Sequence, residues 1–279
     1  MVSAHGKASL KKAQKQRVLQ AKAVLSGLSG ASFVPKDVTP GRQSISLDPE
    51  TMDLRLPGGG LIKNALHEVR PFDPQDGPAA TAFLLGLAAR LSHGDAGTIV
   101  WVRSQDVVRE WGLPYAPGLA RFGISPSRLL LIHPRNEQEA LWCVEEAVQA
   151  RGVALTIGDI DGAKFDLTAS RRIHLMAEKV GRPVLMARGS RWRGATAALT
   201  RWAIKAASSG VPDYSARSPV KGIGNPRWVV DLERAKGGRP GSFHVEWNHE
   251  THRFRVAAPL ADRPAAASAR AANENIAVA

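Results

Sequence analysis

Phosphate binding is the first chemistry to test in this chain. Between Arg70 and Phe83 the sequence reads RPFDPQDGPAATAF, after the strand-like ALHEV and before the helix-like TAFLLGLAARL. A phosphate-binding loop, G-x-x-x-x-G-K-[ST], occupies that place in nucleotide-binding folds. Its backbone N–H groups cradle phosphates, its lysine meets the terminal phosphates and its hydroxyl holds magnesium. With the second glycine at Gly77, the first falls on Phe72, the lysine on Pro78 and the hydroxyl on Ala79. Pro78 also removes a backbone donor, and Asp73 and Asp76 place negative charge beside the would-be phosphate. A slip of one residue restores none of these roles. The expectation is a loop in the right place with the wrong chemistry, binding no nucleotide and no other cofactor.

Other residues that could do chemistry have plainer readings. His244, His249 and His252 lie close together with Glu246 and Glu250 between them. The H-E-x-x-H spacing is absent and no cysteine supplies a structural zinc site, so a surface hairpin accounts for them and no metal is expected. His133 and His174 sit at or in apolar elements and read as core residues. Cys143, the single cysteine, lies in the helically spaced EALWCVEEAV and reads as a buried thiol. No G-x-S-x-G elbow exists. Ser190, in ARGSRWRGA, reads as a helix start, with Arg191, Trp192 and Arg193 exposed around it. Arginine alternates with tryptophan again at TRW, NPRW and VEWNHETHRFR. That pairing suits single-stranded nucleic acid, where phosphates need neutralising and bases need a stacking face. Trp202, Trp228 and Trp247 instead lie inside strand patterns and read as core anchors.

The elements that would position these residues follow from periodicity. TIVWV (98–102), RLLLIH (128–133), VALTIGD (153–159) and PVLMAR (183–188) are continuous apolar runs, expected in strands buried on both faces. Helical segments lie between them: 79–92, 117–122, 136–151 with Asn136 as N-cap, and 168–180 with Thr168 as cap. Strand–helix alternation predicts a parallel sheet covered on both faces. TRWAIKAA, RWVVDLER and the hairpin GSFHVEWNHETHRFRV then predict an antiparallel extension. The expected organisation is a basic helix within residues 1–30, a linker over 31–44, one α/β domain over 45–258 and an Ala-rich tail over 259–279. Residues 208–226 form a long polar loop.

The chain has 279 residues and a formal charge of +13. Residues 1–30 hold six Lys or Arg and no acid, residues 31–187 hold 17 basic and 18 acidic residues, and residues 188–279 hold 15 basic and seven acidic. A neutral core with positive ends points to a polyanion or an acidic protein partner. Lys11, Lys12 and Lys15 at one end, and Arg191, Trp192, Arg193, Lys221, Lys236 and Arg239 at the other, are the candidate contacts. Leu10, Val18 and Leu25 offer a competing docking stripe on the N-terminal helix. No run of about 18 apolar residues exists, so no membrane span is expected. The N-terminus lacks a signal-peptide core, and a cytoplasmic protein is expected.

LPGGGLIKNALHEV, followed by a loop, a helix and GTIVWVRSQ, resembles the RecA recombinase core, and the resemblance runs on through FGISPSRLLLIHPRNEQEALWCVEEAVQARGVALTIGD. It is closest to the ImuA family, RecA-like and SulA-like accessory proteins of the bacterial translesion mutagenesis cassette. The likeness is at ALHEV, SRRIHLMAE…GRPVLMAR, TRW and PRWVVDLERAKGGRPGSFHVEWNHETHRF, and covers roughly residues 45–258. The resemblance implies a RecA-like core of P-loop-NTPase type. It places Gln105 where recombinases carry a catalytic glutamate, and an amide cannot serve as that general base. It places Asp159 near their magnesium-ordering aspartate. It implies an inert ATPase fold that assembles error-prone DNA synthesis during the SOS response, at the nucleoid. The implied partners are an ImuB-like protein, an error-prone replicative-type DNA polymerase and RecA, with weak single-stranded DNA contact. A SulA-like division inhibitor and a divergent ATPase are the alternatives.

Overall fold

The computed structural model describes residues 43–160, 165–210 and 224–257, with positions 23, 24 and 27. The expectations for the N-terminal helix and its lysines, for most of the linker, for the middle of the 208–226 loop with Lys221, and for the tail lie outside the described residues.

Along the described chain a short strand β1 (Ser44–Ile45) pairs antiparallel with β2 (Leu61–Ile62), around a one-turn helix α1 (Glu50–Asp53). The main elements follow as β3 (Leu66–Pro71), α2 (Gly77–Leu91), β4 (Thr98–Arg103), α3 (Gln105–Trp111), α4 (Ala116–Arg121), β5 (Leu129–Ile132), α5 (Glu137–Gln149), β6 (Val153–Asp159), α6 (Leu167–Val180) and β7 (Val184–Ala187). β8 (Thr200–Ala207), β9 (Arg227–Ala235), β10 (Gly241–Asn248) and β11 (Arg253–Val256) complete the sheet. Its nine strands run in the order β11-β10-β9-β8-β3-β7-β6-β4-β5. From β8 to β5 every neighbour is parallel, and from β8 outward to β11 every neighbour is antiparallel. This is the α/β architecture expected of a RecA-like core, with antiparallel C-terminal strands.

Two apolar layers hold it. On one face Phe83 and Leu87 of α2 meet Trp202, Trp228, Trp247 and Phe254, one from each antiparallel strand. All four of those aromatics are at most 1% exposed, so the three tryptophans are core anchors as expected. Phe83 lies 5.7 Å from Trp228 and 5.2 Å from Phe254 between ring centroids, at angles suited to edge contacts. On the other face α5 and α6 cover the parallel strands with Val144, Val148, Ile173 and Ala177. Cys143 is buried there, its thiol pushed up to about 12 by burial and by Glu139 and Glu146, and it is inert in that state.

Several local expectations need correction. β5 is the edge strand, so Leu129–Ile132 is half-buried rather than enclosed. An apolar run alone does not separate an edge strand whose two faces are covered from a central one. His133, just past it, is exposed rather than in the core, whereas His174 is buried and accepts a hydrogen bond from Leu66 N at 3.2 Å. Asp166, not Thr168, caps α6, accepting from Ala169 N at 2.8 Å, while Asn136 caps α5 as expected. The segment after β7 forms a turn at Ser190 and no helix. Within it Trp192 is half-buried, lying under the Arg188 guanidinium at 4.1 Å, while Arg191 and Arg193 are exposed.

Candidate functional site

At the C-terminal ends of β3, β4, β6 and β7 the chain encloses a cavity of about 350 Å³. In open α/β sheets this is the end at which ligands bind. Val69, Gly77, Arg103, Trp111, Asp159 and Arg188 are among its lining residues, with Arg191 at the rim. The β3–α2 loop beside it turns through a 3-10 segment, Pro74–Asp76, before α2 starts. Asp76 is buried there. Its Oδ1 accepts from Ala206 N at 2.9 Å and its Oδ2 from Asp73 N at 3.2 Å. The loop carboxylate thus ties β8 to the loop, where a phosphate loop would turn N–H groups toward a ligand.

Trp111, at the end of α3, lies against the first residue of α2. A Cβ on Gly77 would sit 2.7 Å from its indole, so only glycine admits that approach. Gln105 begins α3 and is exposed. Asp159 ends β6 and pairs with Arg103 at the end of β4, N to O 3.1 Å. The carboxylate in the magnesium-ordering position therefore already has a cation. Arg188 donates to Ile160 O and Phe165 O, and its guanidinium stacks between Phe165 (4.6 Å) and Trp192 (4.1 Å). That stack fixes the loop carrying Arg191 and Arg193.

The candidate contacts separate into two groups. Arg191, Trp192 and Arg193 follow β7 at the cavity end of the strands. Lys236 and Arg239 are exposed on the β9–β10 turn. β9 runs antiparallel to β8, with Ala235 opposite Thr200. That turn therefore sits at the other end of the sheet.

The motifs ALHEV and TRW meet on adjacent strands, an arrangement that neither reveals alone. His67 Nε2 bonds Ile62 O at 2.8 Å and its Nδ1 bonds Thr200 Oγ1 at 2.8 Å. A carbonyl only accepts, so Nε2 carries the proton and Nδ1 takes the threonine hydroxyl. Trp202 Nε1 donates to the same Thr200 oxygen at 2.8 Å. Full burial, with His174 adding to it, lowers the His67 pKa to about 4, so the ring is neutral. Glu68, 0% exposed, accepts from Arg201 Nε at 2.9 Å and from Thr196 Oγ1 at 2.8 Å. Arg70 pairs with Glu233 of β9, and Arg227 with Glu246 of β10. In the hairpin, His249 bonds Arg121 O at 2.8 Å and His252 stacks on Trp247. These polar residues cross-link the sheet. The sequence signal for them was strand alternation, which placed His67 and Glu68 on opposite faces without naming their partners.

Among the described residues no helix is long and apolar enough to cross a membrane. No protein-family model matches the chain. Its similarity is to individual proteins. It is 35% identical over 240 residues to Protein ImuA of Caulobacter vibrioides (strain NA1000 / CB15N), covering 80% of this chain and 93% of that protein. The same figures hold for Protein ImuA of Caulobacter vibrioides (strain ATCC 19089 / CIP 103742 / CB 15). With a likeness of that extent joined to a mostly parallel α/β sheet extended by antiparallel strands, the chain belongs to the ImuA family.

Proposed function

We propose that this protein is a non-catalytic assembly factor in SOS-induced, error-prone DNA synthesis across lesions. It works with an ImuB-like protein and an error-prone replicative-type polymerase, and with RecA as a further partner. The carrying observation is the β3–α2 loop. It holds Phe72, Pro78 and Ala79 in the three phosphate-loop roles, turns the Asp76 carboxylate onto Ala206 N, and is met by Trp111 at Gly77. A RecA-type core keeps surfaces that fit other RecA-type subunits, so a copy without the motor serves assembly. Arg191 and Arg193, beside the exposed rings of Phe72 and Trp111, support weak single-stranded DNA contact at the cavity end.

The test is a thermal melt with ATP and magnesium. A ligand at 100 times its dissociation constant stabilises a protein by about 2.7 kcal/mol, a shift readily seen. No shift and no phosphate release are expected. A magnesium-dependent shift, abolished by Asp159→Ala, would overturn the inert reading in favour of a divergent ATPase.

A further inference from the structure

The end of the sheet opposite the cavity carries a second surface, built from two glycine turns far apart in sequence. LPGGG (56–60) leads into β2, and KGGRPG (236–241) joins β9 to β10. They are fastened together. Arg239 N donates to Arg55 O at 2.8 Å, and Lys236 N donates to Leu199 O at 2.8 Å. A Cβ on Gly238 would lie 2.2 Å from Arg55 O, and Gly237 has φ +82°, so the turn requires its glycine pair. Between the turns lies a shallow cleft lined by Leu54, Arg55, Leu56, Gly237, Gly238 and Arg239.

The chemistry of the cleft is one-sided. Arg55, Lys236 and Arg239 are exposed, and no ion pair joins any of them to another described residue. No acidic side chain lines the cleft. Arg55 donates one N–H to Pro240 O at 3.4 Å, which leaves its other donors for a carboxylate. Leu54 is 73% exposed at the same place. No exposed aromatic ring lines this cleft, whereas Phe72 and Trp111 stand at the cavity end. Bases would find no stacking platform here. Carboxylates would find fixed cations and an apolar side chain would find Leu54.

We propose that this cleft is a docking site for an acidic protein segment carrying an apolar residue. The identity of that partner rests on the assembly reading, but the ligand class does not. The experiment uses the full chain at low salt, where exposed charges act at longest range. Fluorescence anisotropy follows three labelled probes: an acidic peptide with one central leucine, the same peptide with serine there, and an oligothymidylate of equal charge. The leucine peptide is expected to bind more tightly than the serine peptide. Arg55→Glu with Arg239→Glu is expected to weaken it tenfold or more, and Leu54→Ser about threefold, with unchanged circular dichroism. Oligothymidylate binding should not follow these changes. Should the double variant lose its fold, Lys236→Glu on the exposed turn reads the same surface. The proposal falls if the leucine peptide does not bind, if it binds the reversed variants equally well, or if the oligonucleotide loses more than the peptide. A failure to bind the ImuB-like protein would leave the peptide result standing, so the two readings fail separately.

Discussion

The seam of β3, β8 and β9 and the two ends of the sheet contain the same kinds of residue in different states. In the seam, Arg201 sits on Glu68 and Arg70 on Glu233, with Glu68 and Arg70 both buried. At the ends, Arg191, Arg193, Lys236 and Arg239 are exposed, and none has an ion-pair partner among the described residues. A buried charge is stable only with its partner in place, because desolvation costs several kcal/mol per ion. An exposed charge costs little and is free for a ligand. The comparison teaches that arginine in this chain is a structural residue where strands pair and an interaction residue where they end.

The largest expected effect is at Glu68. Glu68→Ala leaves Arg201 without its carboxylate in a site that is nearly dry, and also frees the Thr196 hydroxyl. Breaking a buried pair from one side costs about 3–5 kcal/mol. A denaturant melt should show a loss of that order with the slope unchanged. A loss below about 1 kcal/mol would erase the distinction between seam and ends.

His67 sharpens the same comparison through pH. Its folded pKa, near 4, is below the ordinary 6.5 because burial disfavours the charged ring. The unfolded chain therefore binds the extra proton first as pH falls. The stabilisation is full above about 6.5 and is lost as pH drops toward 4, on the order of 3 kcal/mol across that window. His67→Gln should flatten the dependence there, at some cost in stability at pH 7. An equally steep fall in the variant would assign the acid sensitivity elsewhere.

The order of the elements was legible in the sequence because buried strands and amphipathic helices carry their periods openly. The loop chemistry at Phe72, Pro78 and Ala79 was legible too, since a missing side chain is visible without coordinates. The edge position of β5 was not, because Leu129–Ile132 reads as apolar whether one neighbour or two lie beside it. The bond from His67 to Thr200 spans 133 positions, and that from Arg70 to Glu233 spans 163. Pairings at that separation depend on strand order, which alternation does not specify. Trp192 was misplaced for a related reason. RGSRWRG looks hydrophilic, yet Arg188 lies over the indole and draws it inward.

The smallest stability effects are expected at the ends, and there the readout must be binding. Surface substitutions away from packed features stay within about 0.5 kcal/mol, so Arg191→Glu with Arg193→Glu, and Lys236→Glu with Arg239→Glu, should melt like the parent chain. Their binding should differ. Each phosphate contact on a single strand contributes about 0.7 to the slope of log affinity against log salt. The first pair stands beside the exposed rings of Phe72 and Trp111, so its reversal should weaken single-stranded DNA binding and flatten that slope by about one contact or more. The second pair stands beside Leu54 and two glycine turns, and its reversal should leave the slope where it was. A titration of both variants against one oligonucleotide at four salt concentrations decides it. Equal slopes for the two would mean that the cations at both ends share one polyanion, and that the division drawn here between a nucleic-acid end and a protein end is wrong.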